Sequence, residues 1–122
     1  MFEGNTLSLT RLDNDIAEIK FDSKSGSVNK FNEETLGDLR SALDSLKAQQ
    51  GIKGLLLSSG KSVFVVGADI TEFKEMFSAP KADFIAAAQI ANGLFSEIED
   101  LPYPSVASIN GFALGGGFEI CL

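Results

Sequence analysis

Apolar and polar residues alternate twice near the start of the chain, in TLSLTRL (Thr6–Leu12) and in IAEIKF (Ile16–Phe21). A period of two belongs to a strand with one face in a core, so each stretch predicts a strand. Ala17, Ile19 and Phe21 fall on one face of the second, Glu18 and Lys20 on the other. Asp13-Asn14-Asp15 supplies turn residues between them, and the pair predicts a β-hairpin. The period then changes. After the loop DSKSGSVNKFN, Leu36, Leu39, Leu43 and Leu46 recur at steps of three, four and three, the stripe of an amphipathic helix. Asn32 is placed to cap it, Glu33 and Glu34 suit the positive end of its dipole, and Gly51 closes it.

GLLLSS (Gly54–Ser59) is a short apolar run bounded by glycines, which predicts a strand covered on both sides in a mixed or parallel sheet. VFVVGADITEF (Val63–Phe73) passes from a β-branched segment into a turn and a helical start. Phe84, Ala87, Ala88, Ala91, Leu94, Phe95 and Ile98 form a second helical stripe, ending near Asp100 before Pro102 and Pro104. SVASIN (Ser105–Asn110) predicts another buried strand. Hairpin, helix, strand, helix, strand and a final helical start make an α/β protein, and 122 residues suit one domain.

Composition narrows the chemistry. There is no histidine, so zinc sites and triads built on histidine are excluded, and acid–base work falls to carboxylates. Ten basic against 17 acidic residues give a net charge of −7, which argues against a nucleic-acid surface. It leaves room for a small anionic ligand held by a few lysines. No apolar run reaches the ~18 residues of a membrane span. The single cysteine, Cys121, has no internal partner and lies in an apolar stretch, so a reducing cytoplasm and an unreactive thiol are expected.

Two glycine-containing bends remain, each after a strand: VFVVGADI and GFALGGGFE. Alone, either reads as a tight turn. Neither has the Lys-Ser/Thr ending of a phosphate-binding loop, and the glycine spacing is not that of a dinucleotide fold. Together, two such bends on one sheet can aim two backbone N–H groups at one oxygen, which is an oxyanion hole.

These segments, with the stretch DLPYPSVASING between them, resemble the signatures of the crotonase superfamily, the enoyl-CoA hydratase/isomerase fold. Within it, MFEGNTLSLTRL, GSVNKFN and GKSVFVVGADITEF resemble the front part of the multifunctional α-subunits of bacterial fatty acid oxidation complexes. The resemblance covers the whole chain. It implies a crotonase-like spiral of ββα units, of which this would be the N-terminal half. It also implies oxyanion-hole N–H groups at Ala68 and Gly116, and in Glu119 the first of two glutamates that hold a water for addition to an enoyl-CoA. The alternative for Glu119 is a solvated helix residue. Val28, Asn29, Val66, Asp69 and Ile70 map to the coenzyme A contacts. Asp69 alternatively caps a helix, and Lys30 or Lys61 meets either phosphate or water. Thr71 stands where many relatives carry a lysine, which removes one ionic contact.

The implied reaction is hydration, with associated isomerisation, of enoyl-CoA in fatty acid β-oxidation. The alternatives are another acyl-CoA reaction of the superfamily (isomerisation alone or thioester hydrolysis) or a non-catalytic acyl-CoA-binding module. Hydration needs no cofactor beyond the acyl-CoA substrate and no metal. NAD is implied only for a dehydrogenase part, and a thiolase β-subunit as partner of the complete protein. The second glutamate is expected beyond Leu122, so the chain is expected to be an incomplete, inactive piece that self-associates through faces left uncovered.

Overall fold

A computed structural model describes residues 1–67 and 81–122, with the backbone alone at 81–87 and at Phe118. Five strands form one mixed sheet in the order β1-β2-β3-β4-β5: Phe2–Glu3, Leu7–Arg11, Ile16–Phe21, Gly54–Ser59 and Ser105–Ala107. β1, β2 and β3 are antiparallel neighbours, whereas β4 runs parallel to both β3 and β5. The short first strand has no alternating signal and was not legible in the sequence. The hairpin turn is a 3₁₀ turn, Asp13–Asp15, with Asn14 and Asp15 at φ 66° and 62°. Asn and Asp tolerate that left-handed region better than other side-chain-bearing residues.

Register explains which residues form the core. One cross-sheet row is Leu9, Ile19, Leu57 and Ala107, and the next row on that face is Leu7, Phe21 and Ser59. Against this face lies α1, Glu33–Lys47, whose Leu39, Ala42, Leu43 and Leu46 are buried with Leu7, Leu9, Ala17, Ile19 and Phe21. Asn32 caps α1 as expected, accepting from the Thr35 N–H at 2.8 Å. α1 stops at Lys47, and Gly51 lies beyond it at φ 78°, in the loop to β4. Each fully buried leucine contributes ~1.5–3 kcal/mol.

α2, Lys81–Glu99, links β4 to β5. Leu94 and Ile98 reach the core, while Ile90 is exposed. α1 and α2 are joined by ion pairs: Glu97 receives both Arg40 and Lys47, and Arg40 also meets Asp44 at 2.7 Å.

Two expectations are corrected here. β4 is fully covered on one side and only partly on the other: Leu55 and Leu57 are buried, whereas Leu56, in the opposite row with Thr10, Glu18 and Val106, is half-buried. SVASIN is neither wholly strand nor buried. β5 ends at Ala107, and Val106, on the face opposite α1, is 62% exposed. Among the described residues no helix is long and apolar enough to cross a membrane.

Candidate active site

Beyond the carboxyl ends of β3 and β4, the segment 64–67 is held between two others. On one side the Val66 N–H donates to Asn29 O (3.0 Å) and the Phe31 N–H to Gly67 O (2.7 Å). On the other, Phe64 N–H donates to Phe112 O and Leu114 N–H to Val65 O, with Val65 and Ala113 bridged in parallel. The two glycine bends, nearly fifty residues apart in sequence, are therefore adjacent in space.

Their glycines are needed where they meet. Gly67 has φ +90°, and a methyl there would lie 2.8 Å from Leu114 O and 3.6 Å from Gly115 Cα. Gly117 faces Val65 so closely that a Cβ would collide with its carbonyl oxygen. Gly115, at φ +53°, turns the chain into α3, Gly116–Glu119. The Gly116 N–H is the first of α3 and has no partner within the helix. Beneath it sits Phe31, whose ring would be 3.1 Å from a Cβ on Gly116. Phe31 in turn makes edge contacts with Phe21 and Phe95, at centroid distances of 5.7 and 5.4 Å. An aromatic floor thus supports both bends, a feature that alternation and helical stripes do not reveal.

Glu119 is exposed on α3 and lines a cavity of ≈ 530 Å³ with Phe95, Ser96, Glu99, Tyr103 and Ala107. Burial pushes the Tyr103 phenol pKa up from its ordinary value. Cys121 borders the same cavity; its thiol donates to Gly117 O at 3.2 Å, and burial pushes its pKa up. A raised thiol is a poor nucleophile, in line with the expectation from sequence.

The other expected residues divide. Ala68, Asp69, Ile70 and Thr71 lie outside the described residues. Gly116 and Val66 are on the facing bends, and Val28 is half-buried just before them. Asn29 is 2% exposed; its Nδ2 lies within hydrogen-bond distance of Phe21 O, Ser59 Oγ and Phe64 O, and its Oδ1 accepts from the Ser23 N–H. Lys61 pairs with Asp22 at 3.1 Å.

A family model described as enoyl-CoA hydratase/isomerase matches residues 11–122. This chain belongs to the enoyl-CoA hydratase/isomerase family. Among curated relatives of that family, it is 52% identical to the fatty acid oxidation complex subunit alpha of Pseudomonas entomophila and 51% to that of Pseudomonas putida. Both alignments cover 100% of this chain, which spans only 17% of either relative. Solved structures with the same fold include an enoyl-CoA hydratase from Shewanella pealeana (TM-score 0.85, 24% identity, 94% of this chain and 43% of that one). Another is an enoyl-CoA hydratase from Bacillus anthracis (TM-score 0.80, 24% identity, 95% and 44%). The described elements, two antiparallel strands followed by helix and parallel strand, are thus part of a crotonase fold.

Proposed function

We propose that the chain supplies the oxyanion hole and one acid–base carboxylate of an enoyl-CoA hydratase with isomerase activity. The observation that carries this reading is the packing of Gly67 against Leu114 and Gly115. The residue after each bend glycine, Ala68 and Gly116, is the expected donor of an N–H to the thioester oxygen. In hydration, water delivers hydroxide to C3 and a proton to C2 of the enoyl group. Glu119, acting with the second glutamate expected in the complete protein, would take the proton from water as the C3–O bond forms. Negative charge then builds on the thioester oxygen, where two N–H groups stabilise it without reorganising. An acyl-CoA enters this scheme as substrate, and no resident cofactor has a step in it. The relatives named as fatty acid oxidation complex subunit alpha support a place in fatty acid oxidation; a thiolase partner and an NAD-dependent part remain proposals of this reading alone.

The test is hydration of crotonyl-CoA by the full natural gene product, followed as loss of enoyl absorbance. Glu119→Gln keeps shape but removes the base, and general acid–base catalysis is worth ~10²–10⁴-fold in rate. Such a fall in kcat supports the reading. An unchanged rate in the Gln variant sinks it.

A further inference from the structure

The Asn29 side chain occupies a singular position. The two hydrogens of its Nδ2 are shared among three acceptors: Phe21 O at the end of β3 (3.0 Å), Ser59 Oγ at the end of β4 (2.9 Å) and Phe64 O in the first bend (2.9 Å). Its Oδ1 accepts from Ser23 N–H at 3.0 Å, and its backbone oxygen from Val66 N–H. Three acceptors on one side and an N–H on the other fix the orientation of the amide. Ser59 extends the junction. Its hydroxyl donates to Val63 O at 2.7 Å and accepts from Lys61 N–H at 3.0 Å. Segment 63–66 is thereby tied at Val63 and Phe64 to two strand ends through two side chains, and at Val66 to the Asn29 backbone.

We propose that Asn29 and Ser59 are positioning residues for the first oxyanion donor rather than contacts of the coenzyme. They set the height and angle at which 63–67 leaves the sheet. This inference rests on the hydratase reading above. A polar junction centred on a buried side chain holds one geometry firmly, because any shift strands several donors and acceptors at once. A misplacement of about 1 Å near a reacting group costs about 10²-fold in rate.

The experiment uses the full natural gene product with crotonyl-CoA as substrate. A conjugated dienoyl-CoA, whose absorption moves to longer wavelength when its carbonyl is polarised, serves as optical probe. Ser59→Ala removes one tie and keeps the others; Asn29→Ala removes the hub. In Ser59→Ala we expect kcat to fall about tenfold, the bound probe to lose part of its red shift, and KM to stay within about twofold. Asn29→Ala is expected to lose the red shift and about 10²-fold in kcat. If Asn29→Ala does not fold, Ser59→Ala decides alone. Folded variants that keep both kcat and red shift overturn the inference, as does a loss confined to KM, which marks a coenzyme contact. A wild type that neither hydrates nor shifts the probe is a different result: it removes the hydratase reading, and this inference with it.

Discussion

The first half of the chain and its last 18 residues bury their apolar residues very differently. In β2, β3 and α1 the apolar stripes close on one another, leaving Leu7, Leu9, Ile19, Leu39 and Leu43 at 0–1% exposure. From β5 onward the same kinds of side chain face outward: Val106, Ile109, Phe112, Leu114 and Leu122 are 52–87% exposed. The sheet itself records the change, since the open-face row runs Thr10, Glu18, Leu56, Val106, polar at the hairpin and apolar at the far edge. The closed half supplies stability. The open C-terminal segment carries the second glycine bend and Glu119.

Substitutions in the two regions break or sharpen this contrast, and chemical denaturation gives one scale for all of them. Leu43→Ala, at the centre of the closed half, should cost about 2–5 kcal/mol through lost burial and a cavity. Gly67→Ala, at the seam, forces a side chain into the left-handed region and against Leu114 O. That conformation alone costs roughly 1–2 kcal/mol, and crotonyl-CoA hydration by the full gene product should fall with it.

Glu97→Gln tests the clamp between α1 and α2. Hydrogen bonds from Arg40 and then Lys47 hold the Glu97 carboxyl at about 2, below its ordinary 4.5. Because the folded-state value is the lower one, the clamp contributes fully above pH 4.5 and fades as pH falls towards about 2. The pairs are partly exposed, so the loss at neutral pH should be no more than about 1 kcal/mol. The gap between variant and parent should close on acidification through that window; a gap independent of pH would deny the clamp a role.

The smallest change in stability belongs to the open C-terminal segment. Val106→Ser with Phe112→Ser should shift unfolding by less than about 0.5 kcal/mol per site. The same pair should reduce self-association of the 122-residue chain in light scattering. A large destabilisation would mean that these side chains are buried in solution.

What the sequence made legible follows from which signals are local. The hairpin and α1 with its Asn32 cap are encoded by a period or a capping residue within a few positions, and β4 by a short apolar run between glycines; all stand nearly where expected. β1 is two residues long and carries no period. SVASIN has the apolar content of a core strand, but burial depends on what lies opposite, and that is not written in the segment itself. The site divides in the same way. The glycine bends were visible because glycine is needed at the Gly67–Leu114 approach. The hydrogen-bond partners of Asn29 were not, because Phe21, Ser59 and Phe64 meet only in the folded sheet.

The account stands on two main-chain amides sharing one thioester oxygen. The carbon-13 chemical shift of a labelled enoyl-CoA carbonyl, bound to the complete protein with Glu119→Gln blocking turnover, reads this directly. A strong downfield displacement relative to free ligand is the expected result. A bound ligand whose carbonyl resonates where it does in water would contradict it.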